Sequence, residues 1–304
     1  MTTDSGAPIS SGFVALVGRP NAGKSTLLNA LVGERVAIVS DKPQTTRHRL
    51  RGILDLPDAQ IVLVDTPGLH KPVDSLSEEV NKSAFAALAD VDAVCVLVDS
   101  AQPVGSGDAW VARRAQDAGA PLVLVMTKTD LVDAKTLRQQ SEKAEGLAEF
   151  AATTAVSAVR GEGLDRLTRT LVGLLPEGPR YFPAGMRTDQ PIEVLLAEFI
   201  REKVLLHTRK EVPHAVGVTV DEIRREDGDE KSFVAATVFV ERESQKGILI
   251  GRKGSMIKRI GSEARKDLER ILGGPCYLDL RVKVRKDWRR DASQIRRFGY
   301  GEGL

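Results

Sequence analysis

Much is scarce in this chain of 304 residues, and each scarcity narrows what it can be. There are two cysteines, Cys95 and Cys276, far apart in sequence and each inside an apolar, strand-like run. That argues against a disulfide framework or a thiolate metal site and fits two buried thiols in a reducing compartment. No apolar run approaches the roughly 20 residues needed to cross a bilayer, so no membrane-spanning helix is expected. The stretch Met1–Ser10 lacks the basic start and apolar core of a secretion signal, and a short disordered tail is expected there instead. An overall excess of charge is lacking too, since the formal net charge is only +2.

That balance hides an asymmetry. Residues 1–178 carry 18 Lys/Arg against 22 Asp/Glu, whereas residues 179–304 carry 26 against 20. Within 245–300 the count is 16 against 6. A basic excess confined to one region points to a polyanionic partner for that region alone. The length suits two domains, and 42% hydrophobic residues can supply a core for each. The break falls at Leu175-Pro-Glu-Gly-Pro179, which interrupts helix and strand alike, so the domains are expected at 1–178 and 179–304.

Most of the chemistry is signalled near the start. Gly18, Arg19, Pro20, Asn21, Ala22, Gly23, Lys24, Ser25 and Thr26 spell G-x-x-x-x-G-K-S-T between an apolar run, Phe13–Val17, and a helical pattern, Leu27–Leu31. Strand, glycine loop and helix in that order make a phosphate cradle: the loop N–H groups point inward, and the helix N-terminus adds partial positive charge. Lys24 is expected to reach the β- and γ-phosphates, and Ser25 to offer its hydroxyl to Mg²⁺. The polar loop 40–49 bears Thr45 and Thr46. By itself it reads as plain surface, but after a phosphate loop it is expected to close over the γ-phosphate, with Thr46 reaching the metal.

Asp65, Thr66, Pro67 and Gly68 end a strand-like run about 40 residues on, where Asp65 is expected to serve Mg²⁺ and the Gly68 N–H the γ-phosphate. Leu69 follows, and its apolar side chain cannot orient an attacking water. Lys24, Thr46 and Gly68 are thus the candidate catalytic set, with Ser25, Thr46 and Asp65 as metal ligands. Further apolar strands, Ala93–Val98 and Pro121–Met126, alternate with helices, which predicts a mostly parallel α/β sheet covered by helices on both faces. One of them runs into Thr127, Lys128, Thr129 and Asp130. By itself this is an ordinary loop, but in register with the stretches before it, it resembles the N-K-x-D stretch that selects guanine: the Asp130 carboxylate can accept from the paired donors of guanine, and the Lys128 stem can lie over the base. Ser157 and Ala158 follow the next short strand and resemble the S-A element whose backbone N–H meets the guanine carbonyl.

The second region reads as α+β. An amphipathic helix, 192–206, precedes two alternating strands and a third near Cys276–Arg285. Between the strands, Gly251-Arg252-Lys253-Gly254 joins two helical runs, with Lys258 and Arg259 just beyond. Such a GXXG loop clamps single-stranded nucleic acid in KH domains, and the element order predicts their type II arrangement. A helix-turn-helix is the alternative. Arg285, Trp288 and Arg289 begin a basic, aromatic-bearing tail in which Trp288 either stacks bases or anchors a last helix.

Taken together, GRPNAGKST, PQTTRHR, DTPGLHKP, TKTD, VSA, QKGILIGRKGSMIK and VKVRKDWR resemble the Era family of bacterial GTPases over nearly the whole chain. The resemblance implies a P-loop GTPase domain followed by a smaller type II KH domain. It implies Mg²⁺-dependent hydrolysis of GTP to GDP, binding to the 3′ end of 16S ribosomal RNA, assistance in 30S subunit assembly, and no DNA partner. A cytoplasmic location is implied, with some protein on the inner membrane face. The RNA-contacting candidates are Gly251, Arg252, Lys253, Gly254, Lys258, Arg259, Arg285 and Arg289. Asn21 matches the position that helps hold K⁺ in relatives of the family. With Leu69 unable to position water, either that cation or a partner must contribute. Two departures stand out: Thr127 replaces the usual Asn, which weakens an expected brace to the P-loop, and Ala22 replaces a common valine. Rival readings are a GTP-gated RNA adaptor with slow turnover and a GTPase of membrane surfaces.

Overall fold

The computed structural model describes residues 8–42, 45, 50–66, 68, 88, 90–225 and 230–288, except the side chain of His214. It divides into two compact units, Met1–Asp189 and Gln190–Leu304.

The first unit is built on β1 (Ile9–Gly18), β2 (Leu50–Asp55), β3 (Ala59–Asp65), β4 (Ala93–Asp99), β5 (Leu122–Thr127) and β6 (Ala152–Ala155). Their order across the sheet is β2-β3-β1-β4-β5-β6, with β2 antiparallel to β3 and every other neighbouring pair parallel. A two-residue strand, β7 (Glu177–Gly178), pairs with the start of β1. Among the described residues its helices are α1 (Lys24–Val32), α2 (Ser106–Gln116), α3 (Ala134–Glu145) and α4 (Leu164–Val172). Because both sheet faces are covered, the central strands need no polar alternation, and all seven residues of β3 are buried. Val14 and Leu16 face one side with Leu27, Leu28 and Leu31 of α1 and Leu167 and Leu171 of α4. Ala15 and Val17 face the other with Val111, Ala112 and Ala115 of α2. The strands' carboxyl ends therefore converge at one rim, where such sheets bind ligands.

The segment after Pro179, placed with the second domain on sequence, is held on the first unit. Arg180 pairs with Asp55 and donates to the carbonyls of Leu56 and Pro57. The buried Gln60 accepts from the N–H groups of Tyr181 and Phe182. Ile53 N–H donates to Arg187, and Arg51 pairs with Asp189 at 2.6 Å. A Pro/Gly-rich stretch marks where regular structure stops, not where packing stops; the chain stays on the edge of β2 for about ten residues more.

The second unit runs α5 (Ile192–His207), β8 (Gly217–Arg224), β9 (Ser232–Val240), α6 (Glu243–Ile250), α7 (Ser255–Leu272) and β10 (Cys276–Val284). Its sheet order is β10-β9-β8, antiparallel between β8 and β9 and parallel between β9 and β10. A parallel pair needs a crossover, and α6 with α7 supplies it, placing the GXXG turn between the two helices. Burial alternates only in the first half of β9, where Val234 and Ala236 point inside, and every residue from Ala236 to Val240 is buried. Helix α7 buries Ile260, Ala264 and Leu268, four residues apart, and leaves its cationic face outward.

Candidate functional site

The phosphate loop takes its shape from two left-handed residues and one close approach. Gly23, just before α1, has φ 91°, and Asn21 has φ 63°. A Cβ on Gly18 would lie 2.8 Å from the Leu97 carbonyl of β4, so only glycine lets β1 turn there. Lys24 is buried, and its ammonium donates to the carbonyls of Gly18 (3.3 Å) and Arg19 (3.2 Å). Burial pushes its pKa below the ordinary lysine value, while the nearby Asp65 carboxylate pushes it back up. The Ser25 hydroxyl donates to Asp65 Oδ2 at 2.6 Å. This hydroxyl and carboxylate, side by side at a helix N-terminus, form the hard oxygen donor set that Mg²⁺ takes.

Around the loop, a cavity of about 380 Å³ is lined by Lys24, Ser25, Thr26, Thr45, Gly68 and Lys128, among others. A Cβ on Gly68 would lie 2.8 Å from the Pro20 Cα, so this glycine is dictated by its approach to the phosphate loop. Thr66 spends its hydroxyl on the Leu16 carbonyl at 2.8 Å, tying the end of β3 to β1. Asn21 donates from its side chain to the Asp41 carbonyl at 2.9 Å, linking the P-loop to the loop that follows α1. That loop begins on a clamp that sequence reasoning missed. Asn29, within α1, accepts from the N–H groups of Val36 and Ala37 and donates to the Ala37 carbonyl, at 2.8–2.9 Å.

The base-binding candidates lie on two loops joined by a hydrogen bond. The Ser157 hydroxyl, buried, donates to Asp130 Oδ1 at 2.7 Å and accepts from Arg160 N–H. That bond is the chief cause holding the Asp130 carboxyl below its usual range. Ser157 N–H goes to the Glu162 carbonyl at 3.0 Å, so of the pair only Ala158 can be the backbone donor to a base. Thr127 is buried, with its hydroxyl 2.8 Å from the Ala22 carbonyl of the P-loop and 3.2 Å from Val98. The threonine thus does brace the P-loop, although its single proton serves one carbonyl at a time. Lys128, left-handed at φ 57°, pairs with Asp99 at 2.7 Å. Arg19 pairs with the buried Asp108 at 3.1 Å. Neither aspartate was singled out on sequence; Asp99 ends an apolar strand just as Asp65 does, and that was the available signal.

In the second unit Gly251 (φ 72°) and Gly254 (φ 78°) flank Lys253, itself left-handed. They are glycines for different reasons. A Cβ on Gly251 would lie 2.8 Å from that of Met256, whereas one on Gly254 would meet nothing within 4 Å. Arg252, Lys253 and Lys258 are exposed and make no ion pair among the described residues. Arg259 is tied to Glu263 at 3.2 Å, and Glu263 also pairs with His207 at 2.6 Å. Arg285 extends the β9–β10 ladder through its N–H to Val240 at 2.7 Å. A groove of about 350 Å³ runs between α7 and β10, lined by Lys258, Gly261, Ser262, Arg265 and Tyr277. Arg265 belongs to the basic helix behind the GXXG turn, whereas Gly261, Ser262 and Tyr277 were missed, because only packing brings β10 beside α7. Trp288 is the anchor of the two readings offered above: it is 2% exposed and donates to the Ala215 carbonyl at 3.0 Å. Thr46, Pro67, Leu69 and Arg289 lie outside the described residues.

Comparison with known proteins extends over both units. A family model described as 50S ribosome-binding GTPase matches residues 13–128, and a KH domain model matches residues 211–289. The GTPase Era of Carboxydothermus hydrogenoformans is 45% identical over 295 residues, covering 96% of this chain and 98% of the relative. That of Staphylococcus epidermidis is 41% identical, with 96% and 97% covered. Among solved structures, a point variant of Aquifex aeolicus Era bound to GDP.AlF4- superposes with TM-score 0.92 at 38% identity, covering 96% of this chain and all of that one. An Era structure in complex with MgGDPNP and nucleotides 1506–1542 of 16S ribosomal RNA gives the same score and identity, covering 96% of this chain and 99% of that one.

Proposed function

The chain belongs to the Era family of GTPases and hydrolyses GTP, and from that premise we propose that it is a guanine-nucleotide switch whose second unit binds the 3′ end of 16S ribosomal RNA and assists 30S subunit assembly. The observation that carries the nucleotide half is the meeting of Lys24, Ser25 and Gly68 on one cavity, with the buried Asp65 bonded to Ser25 and Asp130 held by Ser157. The RNA half rests on the exposed GXXG turn at the head of a cationic helix, and on the Era relative in complex with that RNA segment. Mg²⁺, held by Ser25 and Asp65 with Thr46 contributing, supplies positive charge to the phosphate oxygens.

The remaining work falls to the chain. P-loop N–H groups and Lys24 stabilise charge on the transferring phosphoryl group. The Gly68 N–H and Thr46 sense the γ-phosphate. Asp130 selects guanine by accepting from its ring N–H and exocyclic amine, and Ala158 donates to its carbonyl. Leu69 cannot orient water, so a second cation or a partner must contribute, and of the two we assign the cation. The Asn21 amide N–H is spent on the Asp41 carbonyl at 2.9 Å, which leaves Asn21 Oδ1 as the neutral oxygen that suits K⁺. The protein acts in the cytoplasm, and RNA, not lipid, is the partner we assign to the basic second unit. No helix among the described residues is long and apolar enough to cross a membrane.

The test is GTP turnover and RNA binding on the purified chain. We expect turnover faster in K⁺ than in Na⁺, abolition of that difference by Asn21→Ala, and saturable binding to a 16S 3′-end oligonucleotide. Equal rates in both salts remove the K⁺ site. Sedimentation with anionic vesicles but not with RNA overturns the RNA assignment.

A further inference from the structure

We propose that Asp99, at the end of β4, is a positioning residue for guanine recognition: it stretches Lys128 across the outside of the P-loop so that the lysine stem is presented to the base. The inference deepens the nucleotide-site reading above and rests on it. Asp99 and Thr127 are register partners in the β4–β5 ladder, so Asp99 lies one residue from Lys128 across the sheet end. Asp99 is itself fixed, because Oδ1 accepts the Ala101 N–H at 2.9 Å. Its other oxygen holds the Lys128 ammonium at 2.7 Å. Lys128 lines both the cavity around the P-loop and a neighbouring one of about 360 Å³, and Asp99 lines only the second. Lys128 thus stands between them together with Pro20 and Asn21, and the aspartate holds it from the second cavity, which Ser25 and Thr26 do not line.

This chain has particular need of such a tether. The brace from β5 to the P-loop is a threonine hydroxyl that serves one carbonyl at a time. Lys128 follows directly with a left-handed backbone, so its stem departs from a strained residue with little else to fix it. A loose ammonium beside a triphosphate would be drawn onto the phosphate oxygens, and the stem would leave the base. The Asp99 carboxylate is 16% exposed and the Lys128 side chain 33%, so the pair is less screened than an ordinary surface pair.

A double-mutant cycle tests the idea with Asp99→Ala and Lys128→Met, the latter keeping an unbranched stem without its charge. The readouts are the dissociation rate of fluorescent GDP, and KM and kcat for GTP. Asp99→Ala is expected to raise the GDP dissociation rate and KM by about tenfold, the scale of one charge-assisted hydrogen bond, with kcat at saturation little moved. In the Lys128→Met background the same change is expected to cost less than about twofold, since there is no ammonium left to hold. Equal loss in both backgrounds would mean that Asp99 acts through the Ala101 turn, and the proposal falls; no loss in either also overturns it. Asp99→Asn, which can still accept from Ala101, guards against misfolding and should be intermediate. Asp130→Asn, run in parallel, separates the two levels. If it leaves GDP binding intact, the base-pocket reading fails and this inference with it. If it weakens GDP while Asp99→Ala does not, only this inference is lost.

Discussion

The two candidate sites treat their positive charge in opposite ways. In the first unit the functional cations are already bonded: Lys24 to two P-loop carbonyls, Arg19 to Asp108, Lys128 to Asp99. In the second, Arg252, Lys253 and Lys258 stand exposed, and among the described residues none of them has an ion pair. The first arrangement suits one small ligand of fixed shape, because prepaid orientation lowers the ordering cost of binding. The second suits a long polyanion with many registers, because affinity comes from counterion release and from how closely the backbone can approach. Shape selectivity should therefore fail sharply when one residue of the first site changes, and binding at the second should erode with salt.

The sharpest break is expected at Asp130. Its carboxylate accepts two guanine donors, and each charge-assisted bond is worth about 1.5–3 kcal/mol. Asp130→Asn presents a donor to donors, so GTP affinity should fall by at least about a hundredfold while XTP gains. Competition of GTP and XTP for fluorescent GDP measures this. Unchanged GTP binding would remove Asp130 from the base pocket.

The second unit should respond more weakly and in a different currency. Gly254→Asp puts negative charge into open space beside the GXXG turn. It should weaken binding to a single-stranded 16S oligonucleotide by about tenfold or more, by repulsion from phosphate, and leave GTP turnover without RNA untouched. Gly254→Asn has nearly the same shape, tolerates φ 78° about as well, and carries no charge, so it should bind close to the parent level. Equal loss in both variants would assign the effect to backbone strain. Arg252→Ala with Lys253→Ala removes counterions without blocking approach. It should flatten the salt dependence by about 1.4 units of slope, at roughly 0.7 for each phosphate that is no longer neutralised.

The same contrast decided what the sequence made legible. The P-loop, Asp65, Asp130 and the GXXG turn were readable because each couples a special backbone to a fixed residue type over a few positions. The alternation of apolar runs was enough for the parallel sheet, and the element order for the type II arrangement. What escaped depends on packing between distant segments. Asp99 and Asp108 matter through Lys128 and Arg19, Asn29 through a loop seven residues on, and Tyr277 and Ser262 through a groove that exists only once β10 lies beside α7. Gly251 stands among the RNA-contacting candidates, yet packing alone already demands a glycine there, since a Cβ would strike Met256. Thr127 was expected to weaken the brace to the P-loop, and its hydroxyl still reaches the Ala22 carbonyl.

The smallest predicted effect refines the first site from within. The Ser157 hydroxyl, at 2.7 Å, is the main reason that the Asp130 carboxyl lies below its usual pKa range. Guanine binding needs Asp130 ionised, so affinity is full above that depressed pKa and is lost as pH falls through it. Ser157→Ala removes the bond and lets the carboxyl rise toward its ordinary value. At neutral pH Asp130 stays ionised in both proteins, so GDP affinity there should change little, by only a few-fold from looser orientation. The acid limb of the affinity profile should move to higher pH, because the variant carboxylate protonates earlier. GDP affinity of parent and variant, measured as pH is lowered through the acidic range, would display the shift. A limb that stays in place, or moves to lower pH, would mean that Ser157 does not govern the charge of Asp130 and serves only to join the two loops.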